Sequence, residues 1–382
     1  MARQFEHKTG FRLLPGLLIC FAVMMAGIYG ADLIGFLLTA TGVLPEGSSS
    51  PISGIFVAIL LGIIIRNTIG LPEVFSEGIG FALKYALRAG IILLGLRLSL
   101  TEALKLGAWG IPLIVACISV GLFVTLYFTN KLKQSNRLGT LIATGTGICG
   151  VTAIMATAPV IKAKENEISY AVANITIFGL IGMLFYPYLA HAFFADEPIK
   201  AGLFLGTAIH DTAQVTGAAL IYAQMYDASS VIDVATITKL TRNVFIIAVI
   251  PFVSFLFFRN NAKNGNGEGG KLPKWYKLFP LFILGFLLLS LLRTVGDATA
   301  ASSGAAFGLL TPADWSSFYS FWSSFGSTYM LGLAMAGVGL STNLKVFKGM
   351  GITPFYIGLI AAISVGTVSL LLIALFGDLV SV

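Results

Sequence analysis

Residues 108–129 read AWGIPLIVACISVGLFVTLYFT, a stretch without a single charged side chain. A helix needs roughly 20 predominantly apolar residues to cross the hydrocarbon core of a bilayer, and this stretch supplies them. Working outward, segments of the same character recur at about 13–37, 52–66, 78–98, 138–161, 167–190, 200–224, 232–257, 275–293, 315–340 and 350–377. The chain of 382 residues is 57% hydrophobic and 11% charged, with a mean hydropathy of +0.90, whereas a soluble domain carries about 25% charged residues. The short alternating segments of a membrane β-barrel are not seen. The sequence therefore predicts an all-α integral membrane protein with about 9–11 transmembrane helices, the whole of 1–382 forming one polytopic membrane domain.

Charge in the loops sets the topology. The first apolar run follows Arg3, Lys8 and Arg12. It is long and lacks a small-residue cleavage site, so it reads as a membrane helix with a cytoplasmic N-terminus. The longest polar stretch, Arg259–Lys277, is rich in Asn, Gly and Lys. It reads as a flexible cytoplasmic loop, about 259–274, joining halves of about 12–258 and 275–382. Eleven simple crossings put Lys131, Lys133 and Arg137 inside but leave Lys162 and Lys164 outside, against the positive-inside tendency. Nine crossings plus two re-entrant hairpins, at 138–161 and 200–224, return Lys162 and Lys164 to the inside and put Asp196, Glu197, Asp227 and Asp233 outside. Both arrangements make these two segments irregular, since each carries glycine near its centre (Gly145, Gly147, Gly150; Gly206, Gly217) and broken backbone at membrane depth must line protein or water.

Two internal echoes follow. Gly95-Leu-Arg-Leu-Ser99, Gly107 and Pro112 recur as Gly337-Val-Gly-Leu-Ser341, Gly349 and Pro354, and Ile118-Ser-Val-Gly121 recurs as Ile363-Ser-Val-Gly366. An odd number of crossings separates the copies, the pattern of an inverted repeat. Gly145-Thr-Gly-Ile-Cys-Gly150 also echoes Gly206-Thr-Ala-Ile-His-Asp211.

Polar residues inside the apolar segments are the candidates for function. Thr144-Gly-Thr146-Gly147-Ile-Cys149-Gly150-Val-Thr152 lets the backbone unwind, freeing amides and hydroxyls for a small ion; the alternative is close helix packing through small residues. Thr207-Ala-Ile-His210-Asp211-Thr-Ala-Gln214 places an ionisable pair in an apolar segment, which is costly unless it faces a cavity or a partner. Asp211 is the expected carrier of a coupled proton or sodium ion, and His210 is suited to relaying protons. Lys239-Leu-Thr-Arg242 places two cations on one helix face, to pair with Asp211 or with an anion that the forked guanidinium suits; snorkelling is the alternative for Lys239. Asn174 is a further buried polar candidate. Lys84 and Arg88 share a helix face, and the second repeat copy has Gly326 and Met330 there; a specialised role and an interfacial anchor are both open.

Several classes are excluded or disfavoured. There is no Walker A, H-E-x-x-H or G-x-S-x-G motif, so neither an enzyme nor an ATP-driven pump is expected. Cys20, Cys117 and Cys149 lack metal-ligand spacing. No cofactor is expected, and no metal site beyond sodium near Asp211. The net charge of +7 comes from loop clusters of the kind that fix topology, not from a nucleic-acid surface.

Ile148-Cys-Gly-Val-Thr-Ala-Ile154, Ala156-Thr-Ala-Pro-Val-Ile-Lys-Ala-Lys164, Ile209-His-Asp-Thr-Ala-Gln-Val215, Lys239-Leu-Thr-Arg242, Leu284–Arg293 and Gly339-Leu-Ser-Thr-Asn-Leu344 together resemble a YeiH-like family of polytopic bacterial inner-membrane proteins, whose family name ascribes sulfate export to them. The resemblance covers roughly residues 12–375. It implies a distant relation to cation-coupled transporters in which broken helices of inverted repeats meet near the midplane. Thr152 stands where the family usually has Ser, and Asn243 follows the Lys239–Arg242 motif with its proline as late as Pro251. The expectation is a secondary active transporter of a small anion, sulfate or a related sulfur compound, driven by protons or sodium, with a homodimer left open. The alternative class is a channel or a non-transporting membrane sensor.

Overall fold

A computed structural model describes residues 2–41, 50, 52–263, 280–343 and 352–380. Gly349, Leu344 and loop residues 264–274 lie outside the described residues. Among those described the chain is helical, with no β-strand. In order the helices are α1 (Ala2–Ala40), α2 (Gly54–Thr68), α3 (73–94), α4 (Leu100–Lys131), α5 (Asn136–Gly147), α6 (Val151–Thr157), α7 (Glu165–Phe194) and α8 (Pro198–Ala208). They continue with α9 (Thr212–Tyr226), α10 (Ser230–Val244), α11 (Ile246–Lys263), α12 (Phe282–Ser303), α13 (312–341) and α14 (Ile352–Phe376). Helices dominate because lipid offers backbone N–H and C=O groups no partner, so each segment must satisfy its own. The apolar parts of α1, α4, α7, α12 and α14 are each long and apolar enough to cross a membrane, and the α10–α11 pair makes a sixth span if counted as one.

The chain forms two compact units, Met1–Ala103 with Ala219–Ser229 and Phe282–Lys345, and Leu104–Ala218 with Ser230–Leu281 and Val346–Val382. Each of the halves expected at 12–258 and 275–382 contributes to both units.

In the first unit α1, α2, α3, α12 and α13 pack through small residues. A Cβ added at Gly62 of α2 would lie 2.7 Å from the Leu340 nitrogen and 2.9 Å from the Gly339 Cα of α13. The second glycine of the Gly337-Val-Gly339 motif is thus explained by helix contact. Both α3 and α13 contain a π-helical turn, at Ala82–Ala86 and Gly326–Met330. The end of α3 is held by α12. Ser290 Oγ donates to the Gly95 carbonyl at 3.0 Å and Arg293 Nη1 to the Leu96 carbonyl at 3.2 Å, supplying partners to the carbonyls that a helix end leaves open. Arg293 is itself fixed by Asp297 at 2.6 Å and lies 3.3 Å over the Tyr319 ring.

The two irregular segments are broken where their glycines and polar residues predict, at 148–150 and 209–211, both breaks lying in the second unit. Each forms a helical hairpin. For α5–α6, Leu138 and Ile161 share one apolar cluster, Ile154 packs 3.0 Å from where a Gly145 Cβ would lie, and Ser135 Oγ bonds Glu167 at 2.6 Å. The chain therefore returns to the end at which it entered. For α8–α9 the argument runs through α10. Gly202 faces Val234 and Gly206 faces Thr238, so α8 and α10 run parallel and Ser230 starts beside the base of α8. The residues between Asp211 and Ser230 must carry the chain back. Asn243 Nδ2, bonded to Thr212 Oγ1 at 3.1 Å, fixes the far end of α10 beside the tip. The two hairpins start from opposite ends of α7. Ile175 of α7 contacts Gly145 of the first, and Gly182 contacts Ile209 of the second.

The segment 232–257 reads as one helix in the sequence but is bent by 45° between α10 and α11. The Phe245 N–H bonds the Arg242 carbonyl at 3.2 Å, an i→i+3 tightening of the kind that interrupts a helix.

Candidate functional site

The hairpin tips meet at two cations supplied by α10. Lys239 is 1% exposed and Arg242 is 0% exposed. The Lys239 ammonium donates to the carbonyls of Ile148 at 2.9 Å, Ile209 at 3.0 Å and His210, which uses all three of its donors. Arg242 donates from Nε to Gly147 at 3.0 Å, from Nη2 to Thr146 at 2.7 Å, and from Nη1 to Thr207 at 2.5 Å and Ile209 at 3.5 Å. These carbonyls lie at or just past the C-terminal ends of α5 and α8. A helix leaves its last four carbonyls without internal partners and carries the equivalent of about half a negative charge at that end. Two such ends face each other here, and two buried cations complete both. The short echo in the sequence becomes geometry: Thr146 and Thr207 are matched positions, as are Ile148 and Ile209. Arg242 binds the first pair of carbonyls and Lys239 binds one carbonyl of each residue in the second.

Asp211 does the complementary work at the N-terminal ends. Its Oδ1 accepts from the Ala213 N–H at 2.9 Å. One side chain thus caps α9 locally and lies against Gly150, just before the start of α6 in the other hairpin. Gly150 makes this approach feasible. Its φ is +68°, and a Cβ there would lie 2.7 Å from Asp211 Oδ2, so a side chain would be strained and would also push the carboxylate away. Asp211 is half-buried, and Thr152, on the first turn of α6, is exposed. Lys239 and Arg242, expected to pair with Asp211 or an anion, instead spend their hydrogen bonds on backbone carbonyls.

The remaining candidates divide. The His210 ring is buried. Its Nδ1 and the buried Thr146 Oγ1 have no hydrogen-bond partner among the described residues; buried polar atoms are usually satisfied, so both are donors or acceptors available to a small polar guest. Cys149 is buried in an apolar cluster with Ile114 and Ile118. Cys149, Cys20 and Cys117 are free thiols. Gln214 Nε2 donates to the Thr176 carbonyl at 2.9 Å, while its Oε1 lies against Gly179, where a Cβ would collide with it. Thr207 Oγ1 bonds Ser369 at 2.7 Å and its own helix at Leu203. Asn174 is not drawn to the tips: it donates to the Pro354 carbonyl at 3.0 Å and fits a notch at Gly358, tying α7 to α14. Sequence reasoning missed the carbonyls of Ile148 and Ile209, and the roles of Gly179 and Ser369. Carbonyls have no residue-type signature, and Gly179 looks like any small residue in a membrane helix.

A family model described as Conserved hypothetical protein 698 matches residues 15–358. A UPF0324 membrane protein of Streptococcus pyogenes serotype M3 is 31% identical over 363 residues, covering 95% of this chain and 97% of the relative. Another from Streptococcus agalactiae serotype V is 30% identical over 364 residues, covering 95% and 98%. A third, from Bacillus cereus, is 31% identical over 373 residues, covering 97% of each chain. With its apolar helices and end-to-end similarity to these relatives, the chain belongs to the Conserved hypothetical protein 698 family of UPF0324 membrane proteins.

Proposed function

We propose that the protein is a secondary active transporter of a small anion, sulfate or a related sulfur compound, coupled to protons or sodium at Asp211. The observation that carries this reading is the meeting of two hairpins from opposite ends of α7 at the buried Lys239 and Arg242 and the half-buried Asp211. Broken helices of opposite entry, with their half-helix ends at a common centre, are a recurring way of building a central ion and substrate site that alternating access can expose to each side. The charge balance favours an anion. The four half-helix ends cancel in sign, two C-terminal against two N-terminal, which leaves two cationic side chains against one carboxylate. Thr146, His210 and the neighbouring tip residues supply hydroxyl, imidazole and amide groups for orientation.

In this reading the chain makes nine crossings plus two hairpins in the bacterial inner membrane. The α5–α6 hairpin opens to the cytoplasm beside Lys131, Lys133, Arg137, Lys162 and Lys164. The α8–α9 hairpin opens outward beside Asp196, Glu197 and Asp227, which is the placement the positive-inside tendency prefers. The sequence echo across 95–121 and 337–366, with a π turn in α3 and another in α13, supports an inverted repeat. Single cysteines at Lys162 and Asp196 should label from opposite faces with a membrane-impermeant maleimide, Lys162 from the cytoplasm and Asp196 from outside. Labelling of both from one face would overturn the two-hairpin topology.

The functional test is transport current from proteoliposomes on a solid-supported membrane. Sulfate, sulfite, thiosulfate, small sulfonates and carboxylates are applied with and without proton and sodium gradients. A saturable current for one of them that responds to a cation gradient is the expected result. A current that dissipates gradients but never accumulates substrate would make the protein a channel, and folded protein silent to the whole panel would remove the anion assignment.

A further inference from the structure

Lys84 and Arg88 belong to none of the networks above. Both lie on α3, Lys84 inside its π turn and Arg88 just beyond it. Lys84 is 11 residues from the start of the helical run and 10 from its end, roughly 15 Å either way at about 1.5 Å per residue, which is farther than a lysine stem can snorkel. Both side chains are exposed. Neither has a carboxylate partner among the described residues. Each lies near an aromatic ring: Lys84 Nζ is 5.2 Å from the Tyr85 ring centre and the Arg88 guanidinium is 5.8 Å from that of Phe282. A cation left in lipid at the centre of a membrane helix is costly, and two on one face cost more. That face therefore meets water.

The fold does not demand these charges. The second π turn, in α13, is built from Gly-Ser-Thr-Tyr-Met with no charged residue, and the positions matched to Lys84 and Arg88 in the repeat are Gly326 and Met330. Four residues apart, the two cations point the same way, and the guanidinium fork suits an oxyanion while the ammonium adds a point charge. We propose that Lys84 and Arg88 form an anion-binding station of their own, on the exposed face of α3, that takes a small divalent oxyanion of the sulfate type. The choice of an oxyanion rests on the anion-transport reading; the existence of the station does not.

The test uses full-length protein with Arg88→Cys, unmodified protein serving as the blank because Cys20, Cys117 and Cys149 are buried. The rate of modification by a sulfonate-bearing methanethiosulfonate is compared with that by its trimethylammonium counterpart. We expect the anionic reagent to react faster by roughly tenfold, the lower end of electrostatic focusing. Adding Lys84→Gln should collapse that preference, and millimolar sulfate should slow the reaction. No modification of folded protein by either reagent would mean the face lies against lipid and would overturn the station. Equal rates, or indifference to sulfate, would overturn it as well. If Arg88→Cys does not purify as a single folded species, Lys84→Cys with Arg88 intact gives the same comparison. Because the readout needs no flux, failure of transport leaves the station standing, and failure of the station leaves the transport reading standing.

Discussion

Arg242→Ala should lower the thermal midpoint of the purified protein by roughly 6–20 °C. The reasoning is local. Arg242 is fully buried and donates to carbonyls of Thr146, Gly147, Thr207 and Ile209 from two hairpins. Alanine leaves those carbonyls buried without their donor and two negative helix ends facing each other. Removing one partner of a buried charged network costs about 3–5 kcal/mol, and each kcal/mol moves the midpoint of a compact unit of roughly 200 residues, such as the one that holds Arg242, by about 2–4 °C. Arg242→Lys should recover part of the loss, since one ammonium can serve some of the carbonyls but lacks the fork that spans both tips. Heating followed by size-exclusion chromatography measures all three proteins. An alanine variant within about 2 °C of the wild type would mean that the tips are held by something other than Arg242.

This role was only half legible in the sequence. The breaks at 148–150 and 209–211 could be read from glycines and small polar residues in otherwise apolar segments, and the loop lysines favoured hairpins over crossings. Lys239 and Arg242 stood out as cations where cations are expensive. Their partners could not be read, because those partners are backbone carbonyls, which every residue has. A buried cation in a sequence suggests a carboxylate or an anion; the ends of interrupted helices are an equally good answer. The echo between residues 145–150 and 206–211 pointed to the right segments without saying that its paired threonines and isoleucines would offer carbonyls to the same two side chains. Asn174 failed for a related reason. Its partners, the Pro354 carbonyl and the notch at Gly358, lie some 180 residues away, and polarity alone cannot separate a ligand from a tie between helices. The π turns in α3 and α13 left no local mark at all.

Asp211→Asn should separate folding and anion binding from coupling. Asparagine is as good a helix N-cap as aspartate, so its side-chain oxygen can keep the Ala213 N–H that Asp211 accepts at 2.9 Å, and the variant should purify and insert like the wild type. What it cannot do is carry the negative charge shared between the starts of α6 and α9, or exchange a proton or sodium ion there. With that charge gone, two cations remain uncompensated at the tips, so affinity for the anion should be maintained or strengthened. The response to a cation gradient, which for linked sites is typically about 5–150-fold, should vanish, leaving only movement down the anion's own gradient. Reconstituted protein with the substrate found in the current assay provides the comparison: binding in detergent, uptake under a gradient, and exchange at equilibrium. Retained binding and exchange with lost accumulation would identify Asp211 as the coupling group. Uptake that keeps its wild-type dependence on pH and sodium would sink that assignment, and Asp211 would then be a capping residue whose contribution is to hold the two hairpins together.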